Sequence, residues 1–131
     1  MNKTLIVLIL LSLTSITHAA NWVTIGKNST HTYYIDTSSL TQENGIATAW
    51  FKFITQGDPA NNTGPRDYTT LSYVSHMYFN CLKKTGGTET LIVYKGNHVE
   101  HSNTEPTFQY APIAPDSINE NLLRAACRTP S

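Results

Sequence analysis

The sequence predicts an α+β fold, mainly β, in which one C-terminal helix packs on a face of an antiparallel sheet and is disulfide-linked to it. Three observations support this prediction. Apolar and polar residues alternate with a period of two in several segments, and only one segment has helical periodicity. The two cysteines fall on the apolar faces of a predicted strand and of that helix. A length of 131 residues allows one domain.

Composition and charge exclude two classes of protein. Nine Lys and Arg residues balance nine Asp and Glu residues, so no net field would attract a nucleic acid. Hydrophobic residues make up 40% of the chain, which is enough for a core and too many for a disordered protein. We therefore expect a folded domain that has no nucleic-acid partner.

The first twenty residues predict a secretory signal peptide. Lys3 precedes an apolar run from Leu5 to Leu13, and Ala19 is the small residue that signal peptidase requires. The run is shorter than the ~20 residues of a membrane-spanning helix, so no membrane span is expected. We expect cleavage after Ala19, with Ala20 as the alternative position. Residues 20–131 would then form a single exported domain.

Six segments have the composition and alternation of strands. The longest runs from Tyr68 to Cys81, where Met77, Phe79 and Cys81 share an apolar face. The segment between the third and fourth strands is rich in Gly, Pro and Asn, which predicts a loop over residues 56–65. We expect a turn over 83–87, with positive φ at Gly86 and Gly87, and a hairpin turn at 96–97. The predicted strands are 22–25, 31–36, 45–55, 68–81, 88–95 and 98–102.

One helix is predicted near the C-terminus. Ser117 and Glu120 form a capping box, with Ser117 as the N-cap and Glu120 three residues later. Pro130 prevents a longer helix. The apolar residues that follow the cap recur at helical spacing and form one stripe, which consists of Ile118, Leu122, Leu123, Ala126 and Cys127.

Cys81 and Cys127 are the two cysteines of the chain. An even count in an exported protein predicts a disulfide, and two cysteines allow one pairing. The bond closes a loop of 46 positions, which in the chain-entropy model stabilises the fold by ~4 kcal/mol. It would join the helix to the apolar face of the sheet.

Several motifs together resemble the bacterial surface-adhesin protein E family. They lie between residues 22 and 127 and keep the same order: Trp22–Gly26, Tyr33–Leu40, Trp50–Phe53, Asn80-Cys81, Val93–Gly96, Pro112–Ser117 and Ala125–Cys127. The resemblance implies a single twisted antiparallel sheet of about six strands with a C-terminal helix linked to one face. It also implies binding of host matrix or serum proteins.

The resemblance is to proteins that act at the bacterial surface, and such a location needs an anchor. The sequence offers no lipid-accepting cysteine after the predicted cleavage position and no C-terminal apolar segment. We therefore expect a soluble periplasmic or secreted protein.

The search for catalytic and metal-binding residues gives no enzyme, cofactor or metal prediction. His98, Glu100 and His101 resemble half of a metal site, but residues three apart on a strand point to opposite faces. Asp36 is followed by hydroxyl residues, a pattern that also marks the exit of a strand into a turn. His76 lies on the polar face of its strand, where we expect it to be solvated.

Two kinds of residue remain as candidate contacts with a partner. Lys83, Lys84 and Arg66 are the concentrated positive charges, and we interpret them as solubilising loop residues. Seven tyrosines and two tryptophans would form a recognition surface wherever they stay exposed on a sheet face. Trp50 and Tyr33 could lie on such a face or be packed in the core, and the sequence does not separate these options.

These observations favour an exported, non-enzymatic protein-binding module. The alternative is a soluble periplasmic envelope subunit, or a homodimer formed when an exposed strand edge pairs with its copy. Neither the ligand nor its binding residues can be named from the sequence.

Overall fold

The computed structural model describes residues 19–55 and 71–127. The predicted signal peptide up to residue 18, the predicted loop over 56–65, Arg66 and Pro130 lie outside this part of the chain. The described elements are β1 (Trp22–Lys27), β2 (His31–Asp36), β3 (Thr41–Glu43), β4 (Ile46–Thr55), β5 (Leu71–Asn80), β6 (Thr85–Lys95), β7 (His98–Thr104), β8 (Ala111–Pro112) and α1 (Ile118–Ala126).

The strands form one antiparallel sheet, as the sequence predicts. Its main path runs β1-β2-β4-β5-β6-β7, so the six long strands follow one another as neighbours. Two short strands extend this path: β3 pairs with β4 beside β2, and β8 pairs with β6 beside β7. The fold class is therefore confirmed.

The alternation predicted for the two central strands is present in the structure. β4 pairs with β5 from Ile46 opposite Asn80 to Ile54 opposite Ser72. On the face turned toward the helix, Phe51 is fully buried and its ring packs edge-on against Phe79, with centroids 5.7 Å apart. The core therefore lies between this face and α1.

The helix begins where the capping box predicts. The hydroxyl oxygen of Ser117 accepts a hydrogen bond from the Glu120 backbone N–H at 3.2 Å. The carboxylate of Glu120 accepts in turn from the backbone N–H of Asp116 at 2.7 Å, one residue before the N-cap. Leu122, Leu123 and Ala126 are buried against the sheet.

One residue of the predicted apolar stripe was placed wrongly. Ile118 is 42% exposed, although its helical spacing puts it on the stripe. It is the first residue of the helix, and the buried residues of α1 begin one turn later at Leu122. The stripe that contacts the sheet is therefore shorter than its periodicity suggests.

The predicted disulfide is present. Cys81 and Cys127 are bonded, with Cα atoms 5.7 Å apart. Cys81 follows the last residue of β5 and Cys127 is the C-cap of α1, so the bond joins the C-terminal end of the helix to the end of a central strand. Both residues pack against the buried core.

The turn predicted over 83–87 lies at 81–84, and the positive φ predicted for Gly86 and Gly87 is wrong. Both residues lie inside β6, and the residue with positive φ in this turn is Lys84, with φ of 51°. Their lack of a side chain has a steric role instead. A Cβ on Gly86 would come within 2.8 Å of the Phe79 ring, so glycine allows that ring to lie against the strand.

Candidate functional site

The face of the sheet opposite α1 carries aromatic rings from several strands. We call it the aromatic face. Its residues come from β1, β2, β4, β5, β6 and the segment between β7 and β8, and they are Trp22, Tyr34, Trp50, Lys52, His76, Tyr78, Glu89, Phe108 and Tyr110.

Five rings follow one another across this face. Trp50 lies directly opposite His76 in the β4–β5 register, and their ring centroids are 4.8 Å apart. The series continues to Tyr78 at 5.2 Å, then to Phe108 at 4.9 Å and to Tyr110 at 5.4 Å. These separations are typical of favourable aromatic pairs, so each ring helps to hold the next in place.

A β-bulge brings a carboxylate into this series. The β5–β6 register shifts between His76 and Met77, which pair with Thr90 and Thr88 and leave Glu89 as the extra residue of β6. Bulges redirect a side chain in this way. The Glu89 carboxylate consequently lies 2.7 Å from Nδ1 of His76.

The same carboxylate also binds a tyrosine. The hydroxyl of Tyr78 donates to Oε2 of Glu89 at 3.3 Å. Burial raises the pKa of Tyr78, and the negative charge of Glu89 raises it further. The side chains of His76 and Glu89 are 19% and 29% exposed, so the expectation of a solvated His76 is wrong. Regular alternation along β6 does not predict that Glu89 reaches His76, because the contact depends on the β-bulge at Glu89.

Gly87 leaves the space on the aromatic face that the ring of Phe108 occupies. Gly87 pairs with Tyr78, and a Cβ built on it would lie 2.5 Å from Cδ2 of Phe108. The segment between β7 and β8 therefore crosses the sheet at Gly87, where no side chain blocks it. The backbone N–H of Glu105 helps to hold this segment, because it donates to the carbonyl of Glu89 at 2.7 Å.

The other end of the aromatic face carries a lysine between two rings. The Nζ atom of Lys52 lies 4.3 Å from the ring centroid of Trp22 and 5.3 Å from that of Tyr34. Burial lowers the pKa of Lys52. Three adjacent strands thus supply one cation–π cluster.

The hydroxyl-rich segment after β2 is a turn, as the sequence favours. The carboxylate of Asp36 accepts hydrogen bonds from the backbone N–H of Asn21 at 2.8 Å and from both the backbone and the hydroxyl of Ser38. Burial alone would raise the pKa of Asp36, but these hydrogen bonds hold it below its usual value. Asp36 therefore fastens Asn21, the residue before β1, to the turn after β2.

The remaining polar candidates do not converge on the aromatic face. His98, Glu100 and His101 lie on β7, an edge strand whose residues are all exposed. Lys83 and Lys84 are exposed in the turn between β5 and β6. Within residues 19–55 and 71–127, no three His, Cys, Asp or Glu side chains come together as a metal site. Over the same ranges, no helix has the length and apolar character to cross a membrane.

The sequence leaves open whether Tyr33 and Trp50 lie in the core or on an exposed face, and the structure places them on opposite faces of the sheet. Tyr33 is buried on the helix side, where its ring packs edge-on against Phe53 with centroids 5.6 Å apart. Trp50 is half-buried on the aromatic face. Tyr110 is 42% exposed beside Phe108.

Comparison with known proteins identifies the family of the chain. The profile of the family described as surface-adhesin protein E matches residues 22–128. No curated protein matches the chain in sequence. Two solved structures of Haemophilus influenzae protein E are each 16% identical to it. Crystal form II has a TM-score of 0.48 and the match covers 79% of this chain and 91% of the other. The selenomethionine form has a TM-score of 0.47 and coverages of 85% and 93%. Since the family profile spans most of the sequence, this chain belongs to the surface-adhesin protein E family.

Proposed function

We propose that the protein is an exported, non-enzymatic binding module that holds another protein on its aromatic face. Membership of an adhesin family supports protein binding as the class of function. The observation that carries the proposal is the row of five rings from Trp50 to Tyr110 on the face away from the helix. Aromatic side chains are enriched at the centres of protein interfaces, where they contribute most of the binding energy.

The rings are also ordered before any partner arrives. Each ring contacts its neighbour, and Glu89 holds His76 and Tyr78 through one oxygen. Binding therefore immobilises few additional side chains, and the entropy lost on association is small. A rigid aromatic surface of this kind suits recognition of a folded protein.

We infer that the partner is a host matrix or serum protein. The name of the family supports this inference, because an adhesin acts on molecules outside the cell. We further propose that residues 1–19 direct export and are removed after Ala19, which leaves a soluble periplasmic or secreted protein. Intact-mass measurement of the protein from culture medium and periplasm tests the cleavage, and retention of residues 1–19 in both would contradict it.

An enzymatic function has less support. His76 and Glu89 form an imidazole–carboxylate pair, which is part of many catalytic sites. Over residues 19–55 and 71–127, however, no hydroxyl or thiol nucleophile is hydrogen-bonded to the imidazole of His76, and both cysteines are in the disulfide. Positioning a partner fits this pair better than nucleophilic catalysis does.

Self-association through a strand edge is the second candidate. β7 is an edge strand, and all seven of its residues are exposed. A register shift against β6 between Val93 and Tyr94 leaves Glu100 as the extra residue of β7, between Val99 and His101. Bulges and charged side chains on an edge oppose pairing with another copy. A stable dimer in light scattering at high concentration would favour this candidate.

The test of the proposed function measures binding of the purified mature protein to immobilised matrix and serum glycoproteins. We expect saturable binding that falls at least fivefold in Tyr110→Ser, since truncation of an aromatic hot-spot residue commonly weakens an interface by more than about 1 kcal/mol. Leu82→Ser is the matched control, because Leu82 is 88% exposed and lies in the turn between β5 and β6. Absence of saturable binding, or equal losses in both variants, would contradict the proposal.

A further inference from the structure

Lys52 is a partly buried cation on the aromatic face. Its ammonium lies over the rings of Trp22 and Tyr34. The two ion pairs found among the described residues join other groups, His76 with Glu89 and Arg124 with Glu120. Within that part of the chain, Lys52 therefore has aromatic rings as neighbours and no carboxylate.

This arrangement leaves the charge of Lys52 incompletely compensated. Moving an ammonium out of water is unfavourable unless an opposite charge or hydrogen-bond acceptors replace the solvent. The depressed pKa of Lys52 has burial as its cause and reflects this loss of solvent. The two rings offset part of the loss through cation–π attraction, but they accept no hydrogen bonds from the N–H groups in the way a carboxylate does.

We propose that Lys52 anchors a carboxylate of the protein partner, so that the aromatic face selects segments that carry Asp or Glu next to apolar residues. This inference rests on the proposed function. Lys52 lies two residues after Trp50 on the same face of β4, so an acidic residue bound at Lys52 continues directly onto the aromatic row. The partner thus needs one acidic group for the cation and apolar groups for the rings.

A sulfated polysaccharide fits this site less well than an acidic peptide. Polyanions are held by several cations, which act together as an extended positive field. Lys52 is instead surrounded by aromatic rings, and the other lysine of strands β1–β4, Lys27, lies at the far end of β1. A site with a single lysine is therefore suited to a single carboxylate.

The experiment screens an immobilised library of random dodecapeptides with four forms of the mature protein. These are the wild type, Lys52→Met, Lys52→Arg and the control Lys83→Met. Met keeps the length and apolar stem of lysine and packs well against rings, so Lys52→Met removes the charge with little effect on packing. Arg keeps the charge and stacks on aromatic faces. Lys83 is exposed in the turn between β5 and β6, so its loss changes net charge equally but away from the face.

We expect the wild type to enrich peptides in which Asp or Glu lies next to aromatic or aliphatic residues. Affinity for the selected peptides should fall about tenfold in Lys52→Met, and both Lys52→Arg and Lys83→Met should retain it. In NMR titration, binding of a selected peptide should raise the pKa of the Lys52 ammonium, because a carboxylate stabilises its charged form. A side chain that merely covers the two rings would show no such rise.

The opposite outcomes separate the two proposals. If peptides are enriched without Asp or Glu, or if Lys52→Met keeps the acidic preference, the role of Lys52 is overturned while protein binding stands. If no peptide is enriched and no glycoprotein binds, both proposals fail. Heparin that binds the wild type and is lost in Lys52→Met, with no acidic peptide enriched, would overturn the choice of a carboxylate partner.

Discussion

Phe108 lies against Gly87, so that a Cβ at position 87 would approach the Phe108 ring to 2.5 Å. Gly87→Ala should therefore displace the ring or strain β6, and we expect the free energy of unfolding to fall by about 1–3 kcal/mol. Urea denaturation followed by circular dichroism measures this. Gly26→Ala is the matched control, since a Cβ at Gly26 meets no atom within 4 Å.

The contact also predicts a specific coupling between the two positions. Phe108→Ala should reduce the cost of Gly87→Ala, because the ring that a Cβ would meet most closely is gone, while the Gln109 carbonyl oxygen at 3.0 Å remains. Unfolding of all four members of this double-mutant cycle measures the coupling energy. Additive effects would show that the strain at Gly87 does not come from Phe108.

Removal of the disulfide should lower stability strongly. In the double variant Cys81→Ala/Cys127→Ala, the unfolded chain regains the freedom of a 46-residue loop, which corresponds to ~4 kcal/mol. Urea denaturation of the two proteins gives the difference. Reductant should destabilise the wild type and leave the double variant unchanged. If reductant leaves the wild type equally stable, the bond contributes nothing to the fold.

Asp36 predicts a loss of stability in acid. Because its pKa is lower in the folded protein than in the unfolded chain, its stabilising effect is complete above the unfolded value of about 3.9. The effect disappears as the pH falls through the folded pKa. Asp36→Asn lacks this titration, so its stability should approach that of the wild type below about pH 4. Unfolding measured from pH 7 to pH 2 tests this, and a constant difference would contradict it.

The N-cap of α1 should contribute measurably to stability. Ser117→Ala removes the acceptor for the Glu120 backbone N–H and should cost about 1 kcal/mol. Ser29→Ala is the control, because Ser29 is exposed and lies in a bend. Thermal unfolding compares the two variants. Equal melting temperatures would mean that the helix is held by the disulfide and its apolar face alone.

The helix could be predicted from local spacing, and the disulfide from the number of cysteines. The capping box specifies where α1 begins, and two cysteines allow one bond. The β3–β4 hairpin was missed although its signal is present. Asn44 and Gly45 have φ of 52° and 78°, and Asn-Gly is the strongest two-residue hairpin signal. β8 has two residues, too few for any periodicity to show.

The contact between His76 and Glu89 on the aromatic face could not be predicted. A bulge of one residue reverses the side on which the following residues lie, and nothing in the composition of β6 marks Glu89 as that residue. The contact of Gly87 with Phe108 joins residues from β6 and from the segment before β8, so it depends on tertiary packing. The six long strands were predictable, whereas the shift in register between β5 and β6 was not.

Both tryptophans of the chain, Trp22 and Trp50, lie on the aromatic face. The tryptophan fluorescence of the protein therefore originates from this surface. One indole faces the ammonium of Lys52 and the other packs at a tilt against the imidazole of His76, and both groups can alter emission intensity. Docking of a partner at the Lys52 end of the face can consequently be followed without a label.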